Sequence, residues 1–376
     1  MKRVKRICSS SAVICVLLLM IGCWDQDLLQ SARLLYAEGF DLEQNGELQA
    51  TFVIRDVPAS EQQSPKNDII FTVGNTAREV QDKADDMMSR HLRNYRNRVI
   101  LIGEEQAKQD IYPILDFFYR DPKSALNARF GVAQGKAADI LSLKKVGNIL
   151  IGEEIEELIK SKEETTSIPK VSIETIYSVM MDPGEDFVLP FLTEKGKRVD
   201  VSRIAMFHNQ QFTGTLSPDE SSMYLFMKGN KGKIARFTRE LSTHKGHQSG
   251  HDFITFNVEK SKRKMKVLTQ SGDKIMVTLE LKWKVSIDEY PKDHLNDKKM
   301  VSQLEQFLSK EMTHLAEETL EKLQKARCDG LGIGRQLLAF HPDIWKKQKE
   351  DWGSNYQKVN FVTEVQVEIT KKGIIS

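Results

Sequence analysis

Apolar and polar residues alternate most regularly in the last third of the chain. Every second residue from Ile275 to Ile287 is large and apolar, and most positions between them carry charged or hydroxyl side chains. A period of two is typical of a strand with one face on a core and the other in water. Shorter alternations at residues 254–258 and 359–369 indicate further strands. We therefore predict an antiparallel sheet in this region.

Between these strands the apolar spacing changes to that of a helix. One stripe of long apolar side chains predicts a long amphipathic helix, namely Leu304, Leu308, Met312, Leu315, Leu320 and Leu323. A second helix is predicted from Leu337 to Lys349. Residues 231–376 are thus predicted to form an α+β domain in which the long helix packs on one face of the antiparallel sheet.

The first part of the chain has a different pattern, in which short strands alternate with helices. Asn45-Gly46 separates two strand-like runs, 34–41 and 48–55, and predicts a hairpin. Thr76 with Glu79 forms a capping-box pattern that opens a helix expected to reach about Asn94. Further strands are expected at 69–73, 99–102 and 128–133, and helices near 111–118 and 137–143. Residues 23–145 are therefore predicted to be a mixed α/β domain.

Residues 146–230 are more helical and more polar, and we assign them to a middle domain that could be discontinuous. Ile155, Leu158 and Ile159 mark a helical stripe, opposite a face with four glutamates that could bind a cation or simply face solvent. Ser217 and Glu220 form a second capping box. The whole chain is predicted to be an α+β protein of about three domains.

The first 22 residues are predicted to be a lipoprotein signal peptide that is removed. A basic segment is followed by an apolar run from Ala12 to Ile21, too short to span a bilayer, and then by Gly22-Cys23. This order is that of a bacterial lipobox. The sulfur of Cys23 would carry diacylglycerol, and a further acyl chain on its amino group is left open. The alternative is an uncleaved signal anchor with an incidental cysteine.

Charge and cysteine content narrow the classes of function. The chain has 376 residues, with 55 Lys and Arg against 53 Asp and Glu. This balance excludes a strongly basic nucleic-acid binder. Of its 4 cysteines, Cys8 and Cys15 lie in the signal segment and Cys23 is the expected lipid site, which leaves Cys328 without a disulfide partner. We interpret Cys328 as a buried structural thiol.

Three clusters contain residue types that could form a chemical site. His244, His247 and His251 could ligate a metal, but their glycine-rich spacing favours a solvated turn. The glycine run from Gly330 to Gly334 resembles a nucleotide loop, yet it follows a predicted helix rather than a strand, so we interpret it as a helix end and a turn. The basic run from Lys260 to Lys266 could contact anionic lipid headgroups, although a hairpin turn rich in charge is favoured.

No combination of residues predicts an enzyme. Nucleophile elbows, zinc-protease pairs and phosphate loops are absent from the sequence. The neighbouring carboxylates Asp85-Asp86 and Glu104-Glu105 would point about 100° apart on a helix, which makes them poor acid–base partners. We predict no catalytic residue, no cofactor and no metal ligand.

Several sequence blocks, in order along nearly the whole chain, resemble those of the spore germination lipoproteins of the Ger(x)C family, the C subunits of nutrient germinant receptors. The blocks include Gly22-Cys23-Trp24-Asp25, Gly39-Phe40-Asp41, Gly74-Asn75-Thr76, Ile102-Gly103-Glu104-Glu105, Gly135-Lys136-Ala137-Ala138, Val188-Leu189-Pro190 and Asp329-Gly330-Leu331-Gly332-Ile333-Gly334.

The resemblance implies a sporulation protein of three mixed α/β domains, lipid-anchored through Cys23 on the outer face of the inner spore membrane. It also implies membrane-embedded A and B subunits as partners, a role as scaffold or transducer in triggering germination, and no enzymatic activity. The alternative is a lipid-anchored solute-binding protein that captures the nutrient itself. That class usually has two similar lobes, and the sequence shows no such repeat.

Overall fold

The computed structural model describes residues 32–56, 66–89, 91–241, 253–270, 273–292 and 295–371. The strands of this part of the chain are β1 (Ala32–Leu42), β2 (Leu48–Asp56), β3 (Lys66–Gly74), β4 (His91–Arg93), β5 (Val99–Gly103), β6 (Arg129–Ala133), β7 (Lys145–Val146), β8 (Ile149–Leu150), β9 (Val188–Lys195), β10 (Arg198–His208), β11 (Gln211–Leu216), β12 (Arg236–Glu240), β13 (Phe253–Gln270), β14 (Lys274–Glu289) and β15 (Asn360–Lys371).

The helices of the same residues are α1 (Ala77–Asp86), α2 (Glu104–Ala107), α3 (Tyr112–Arg120), α4 (Ala137–Leu141), α5 (Ile151–Glu164), α6 (Ile173–Met180), α7 (Pro218–Lys228), α8 (Lys298–Lys325), α9 (Ile333–Phe340), α10 (Pro342–Gln348) and α11 (Trp352–Tyr356). Short 3₁₀ helices cover Asn94–Arg96 and Lys349–Asp351. No helix among the described residues is long and apolar enough to cross a membrane.

The larger sheet has nine strands in the order β11-β10-β9-β6-β5-β1-β2-β3, with β4 beside β1. Its central pairs, β1–β5, β5–β6 and β6–β9, are parallel, whereas the outer pairs are antiparallel. All five residues of β5 are buried, as expected for a parallel strand covered on both faces. The hairpin predicted at Asn45-Gly46 is confirmed, with Gly46 at a φ of 85°.

Helices cover both faces of this sheet. Ile100 and Ile102 of β5 pack on the side of α1, α3 and α6, together with Val80, Phe118 and Ile176. The alternate residues Val99 and Leu101 pack on the opposite side, against α4 and α5 through residues such as Ile140 and Ile155. The result is a three-layer arrangement, which confirms the mixed α/β character predicted for this region.

The second sheet has four strands in the order β12-β13-β14-β15. The alternation predicted from Ile275 to Ile287 is confirmed, because the apolar members of β14 are buried. Trp283 is 1% exposed and stacks on Phe237 with ring centroids 5.6 Å apart. The predicted stripe of α8, from Leu304 to Leu323, lies in the same core. The predicted α+β architecture with a long amphipathic helix is therefore confirmed.

The prediction that this sheet is antiparallel was wrong at one strand. β12, β13 and β14 run antiparallel, but β15 pairs with β14 in parallel, from Met276↔Asn360 onwards. A parallel pair needs a long crossover, and residues 290–359 with helices α8 to α11 supply it. The alternating pattern of β15 does not report strand direction.

Side chains of α8 cover the free edge of β15. The backbone N–H groups of Val365, Val367 and Ile369 donate to Thr313 Oγ1 (3.0 Å), Ser309 Oγ (3.0 Å) and Glu305 Oε1 (2.8 Å). The three acceptors are four residues apart, one helical turn, while the three donors are two residues apart on the strand. Three N–H donors on this edge are therefore occupied by side chains of α8.

Three elements differ from the sequence-based expectation. α1 ends at Asp86 rather than near Asn94. The helix expected from Leu337 to Lys349 is two helices, α9 and α10, because Pro342 cannot continue α9 and instead starts α10. The run from Lys260 to Lys266 is not a hairpin turn, since it lies within β13 and pairs with β14 along its length. The spacing of its lysines has the period of a strand.

The larger sheet continues across the domain boundary placed at residues 145 and 146. β6 pairs in parallel with β9 through Val132↔Phe191 and Ala133↔Leu192. In addition, Val188, Ile204 and Met206 of this sheet pack in the core of the second sheet. The division into residues 23–145, 146–230 and 231–376 stays a prediction.

Candidate functional site

The two sheets meet at a junction built from residues 182–187, which precede β9, and residues 328–335, which follow α8 and include the start of α9. Asp329 lies at its centre with no exposed surface. Its Oδ1 accepts from the amide of Ile333 (2.8 Å), and its Oδ2 accepts from the amide of Gly334 (2.7 Å) and from Trp352 Nε1 (2.9 Å). One buried carboxylate thus holds the start of α9 and the start of α11 together.

Asp186 connects this centre to the larger sheet. The backbone N–H of Asp329 donates to Asp186 Oδ2 over 2.8 Å, and the backbone N–H of Asp186 donates to the carbonyl of Asp329 over 3.1 Å. His208, at the end of β10, lies with Nδ1 3.2 Å from the same Asp186 Oδ2. The two segments are therefore joined by reciprocal main-chain and side-chain hydrogen bonds.

Two glycines allow the segments to approach closely. A Cβ on Gly334 would lie 2.7 Å from both Gly184 Cα and the ring of Trp345. Gly184 has a φ of 87°, and a Cβ there would lie 2.6 Å from the carbonyl carbon of Gly334. The amide of Arg335 donates to the carbonyl of Gly184 over 2.9 Å. Only glycine fits at both positions.

A cleft of about 450 Å³ opens beside the junction, between residues 182–187, the end of β10 and residues 345–353. Two of its acidic side chains, Glu185 and Asp182, form ion pairs inside the protein. Lys228 lies 2.6 Å from Glu185, and Arg335 lies 2.9 Å from Asp182. The His208–Asp186 pair has no hydroxyl or thiol nucleophile beside it among the cleft residues. The hydrogen bonds of Asp186 hold the two segments together.

Burial changes the titration of this centre. Desolvation raises the pKa of Asp329 to about 7, against the opposing effect of its N–H donors. The neighbouring thiol of Cys328 is completely buried, and desolvation raises its pKa well above the ordinary value. The burial predicted for Cys328 is confirmed.

A second buried carboxylate, Asp41, explains another group of sequence blocks. Asp41, the last residue but one of β1, accepts from the amides of Ala137 (2.7 Å) and Ala138 (2.9 Å) at the start of α4. A Cβ on Gly39 would lie 2.8 Å from that of Ala137, and one on Gly103 would lie 2.0 Å from Asp41 Oδ1. The blocks around residues 39–41, 102–105 and 135–138 therefore form one structural unit, a capped helix packed on two strands.

Some of the candidate site residues predicted from the sequence lie within the described residues and others do not. Cys23, His244, His247 and His251 lie outside the described residues. Among the residues that are described, no group of three or more His, Cys, Asp or Glu side chains could hold a metal ion. The glycine run does follow α8, as predicted, and it also opens α9, with Gly332 at a φ of 76°.

Sequence reasoning missed the pairing of Asp329 with Asp186. Asp329 stands directly before the glycine run, and an acidic residue next to a helix start is a recognisable capping signal. Asp186, by contrast, is 143 residues away, in a loop with no regular pattern. Their contact depends on how the two sheets meet.

Stability is expected to fall as the pH rises from about 5 to 9. Glu38 is also buried, against Asn97, and desolvation raises its pKa to about 8. An unfolded chain releases the carboxyl protons of Asp329 and Glu38 near pH 4. The folded protein holds the proton of Asp329 to about pH 7 and that of Glu38 to about pH 8. The folded state therefore binds more protons in this interval, and raising the pH favours unfolding.

Urea unfolding at several pH values measures this slope. Glu38→Gln should flatten it, because one of the two protons is then no longer released. The matched control is Glu174→Gln, since Glu174 is an exposed residue of α6. An unchanged slope in Glu38→Gln would contradict the assignment of Glu38.

Two family domains match the chain in succession. Residues 25–194 match the spore germination protein N-terminal domain, and residues 202–373 match the spore germination B3/GerAC-like C-terminal domain. The chain is 25% identical to spore germination protein B3 of Bacillus subtilis (strain 168), covering 97% of this chain and 98% of that protein. It is 22% identical to spore germination protein GerQC of Bacillus cereus, covering 94% and 96%.

A solved structure has the same fold. The crystal structure of the GerBC protein superposes with a TM-score of 0.54 at 20% identity, and the alignment covers 90% of this chain and 98% of that one. The matched family domains together extend from residue 25 to residue 373, with both sheets and the junction inside them. The chain is therefore a member of the Ger(x)C family of spore germination proteins.

Proposed function

We propose that this chain is the C subunit of a nutrient germinant receptor and acts as a scaffold or transducer without catalysis of its own. The observation that carries the proposal is the match of both family domains, in order, over residues 25–373. The relatives are spore germination proteins of similar length to this chain. In this role the protein docks onto the membrane-embedded A and B subunits of the receptor.

The junction supports a mechanical role. The carboxylates of Asp329 and Asp186 accept from main-chain and indole N–H groups within the protein, so they connect segments of the chain. A body whose two sheets are joined by such a rigid connection can pass a displacement from one surface to another. This is what a subunit that transmits a signal between partners requires.

We further propose that Cys23 carries the lipid and that the body lies on the outer face of the inner spore membrane. The support is the order of basic segment, short apolar run, small residue and cysteine in the sequence. Two acyl chains hold a protein stably on a bilayer, and the tether raises its effective concentration near membrane partners.

Cys23→Ala is expected to release the protein from membranes and to weaken the response of spores to their nutrient. The reason is that the variant lacks the sulfur to which the lipid is joined. Spore membranes are washed with high salt and probed for the protein, and germination is followed by the fall in optical density after nutrient is added.

Cys15→Ala is the matched control, because it changes another cysteine of the same segment, and spores lacking the chain define the complete defect. Calcium dipicolinate serves as a trigger independent of the receptor. A Cys23→Ala protein that stays on salt-washed membranes with a full nutrient response would contradict the proposal. A normal response in spores without the chain and its paralogues would exclude the receptor role itself.

A further inference from the structure

The outer face of the second sheet carries a group of lysines that the proposed function does not use. We call this group the lysine face, and it consists of Lys260, Lys262, Lys264 and Lys266 of β13 and Lys282 and Lys284 of β14. All six residues are exposed, whereas the alternate residues of β14, such as Leu281 and Trp283, are buried in the core. The six side chains therefore share one solvent-facing surface.

The lysines are placed against each other across the strands. In the register of the sheet, Lys260 lies opposite Lys284 and Lys262 lies opposite Lys282. Like charges directly opposite each other destabilise a sheet. Carboxylate partners within the described residues are found for two of the six, Lys264 with Glu280 at 3.9 Å and Lys284 with Glu368 at 3.2 Å. Four ammonium groups are thus available to a ligand.

The charges are close enough to act together. Lys260 and Lys266 are six residues apart on one strand, or about 20 Å, and the neighbouring strand lies about 5 Å away. The Debye length is about 10 Å at 0.1 M salt, so adjacent lysines reinforce each other's field. Such a surface attracts an extended anionic partner more strongly than a single small anion.

Protection of a sheet edge does not account for the group. β12 pairs only with the first five residues of β13, and lysines along the remaining edge would discourage pairing with another chain. Lys282 and Lys284, however, lie on β14, which is paired on both sides. Their placement opposite Lys260 and Lys262 concentrates charge where no edge exists.

We infer that the lysine face binds the anionic phospholipid surface of the membrane to which the protein is attached. Lysine is depleted in protein–protein interfaces, and the face has neither the aromatic nor the arginine anchors that dominate them. Flexible ammonium groups suit phosphate headgroups that are mobile and have no fixed geometry. The face then supplies a second membrane contact beside the lipid, which rests on the anchoring proposed above.

The test is vesicle binding by residues 24–376, which contain every described residue and lack the lipidated cysteine. The chain is sedimented with vesicles of phosphatidylcholine alone or with about one-third phosphatidylglycerol. We expect binding to the anionic vesicles only, and its loss when salt is raised from about 0.1 M to 1 M. Replacing the four lysines without a carboxylate partner among the described residues, Lys260, Lys262, Lys266 and Lys282, with Gln should lower the partition coefficient by about 100-fold or more, since each lysine near an anionic surface contributes roughly fivefold.

The matched control replaces four exposed lysines remote from the lysine face, Lys298, Lys299, Lys310 and Lys346, with Gln. It changes the net charge equally and should alter binding less than about threefold. Unfolding in urea verifies that both variants fold, and the lysine-face variant should be no less stable than the parent because it loses like-charge pairs.

Equal binding to neutral and anionic vesicles, or full binding by the lysine-face variant, overturns the inference. The inference is also overturned by a lysine-face variant that keeps Cys23, binds anionic vesicles normally and loses the nutrient response in spores. That result would assign the lysine face to an acidic protein partner. The vesicle result does not depend on lipid at Cys23, whereas the retention of Cys23→Ala on salt-washed membranes reports the tether alone. Failure of one proposal is therefore distinguishable from failure of the other.

Discussion

Replacing Asp329 with alanine is expected to lower the free energy of unfolding by about 3 kcal/mol or more, since each buried donor left without an acceptor costs about 1–3 kcal/mol. Three such donors would be left, the amides of Ile333 and Gly334 and the indole N–H of Trp352. The amide donors begin α9, so this helix would lose its connection to α11. The expected result is a junction that opens before the two cores unfold.

Urea unfolding followed by tryptophan fluorescence measures this effect, because Trp345 and Trp352 lie at the junction. Asp329→Asn keeps one acceptor oxygen in the same volume and should fall between the parent and the alanine variant. Asp343→Ala is the matched control, since Asp343 is an exposed residue in the first turn of α10. Surface changes of that kind usually stay within about 0.5 kcal/mol. An Asp329→Ala protein as stable as this control would show that the carboxylate is not needed.

Gly184→Ala should be the second most damaging change, by about 3 kcal/mol, through two separate effects. Its φ of 87° is one that side chains rarely adopt, at a cost of roughly 1–2 kcal/mol. The new Cβ would also lie 2.6 Å from the carbonyl carbon of Gly334 and 2.7 Å from the amide nitrogen of Arg335. Both atoms belong to the backbone, so the segments must move apart and weaken the hydrogen bond from Arg335 to residue 184.

Gly196→Ala separates the two effects. Gly196 has a φ of 65°, and a Cβ there would meet nothing within 4 Å. It should therefore lose only the roughly 1–2 kcal/mol due to conformation. Limited proteolysis provides a second measurement, because only Gly184→Ala is expected to expose residues 328–335 to cleavage. Equal destabilisation by both substitutions would contradict the close approach of the two segments.

The local elements were largely predictable from the sequence because short-range physics determines them. The period of two in β14, the stripe of α8 and the turn at Asn45-Gly46 each depend on residues within a few positions of one another. Pro342 also acts locally, and reading it as a helix start would have divided the predicted second helix correctly.

The contacts that join elements were not predictable in the same way. The β6–β9 pairing brings residues 132–133 beside 191–192, and no pattern in either strand names its partner. The Asp329–Asp186 link and the parallel direction of β15 likewise depend on long connections. The turn predicted for the lysine run was wrong, because lysines at every second residue have the period of a strand.

The side chains of α8 that bind the edge of β15 affect how copies of the chain can associate when they are close together. A lipid anchor confines molecules to a plane, where copies of one chain meet far more often than in free solution. An open strand edge would then act as a template on which further copies add, and the sheets would grow from molecule to molecule. With Glu305, Ser309 and Thr313 already bonded to the strand, that edge has no free donors at residues 365, 367 and 369. If the proposed lipid anchor holds copies of this chain close together on a membrane, the occupied donors at these three residues disfavour growth of the sheet through this edge.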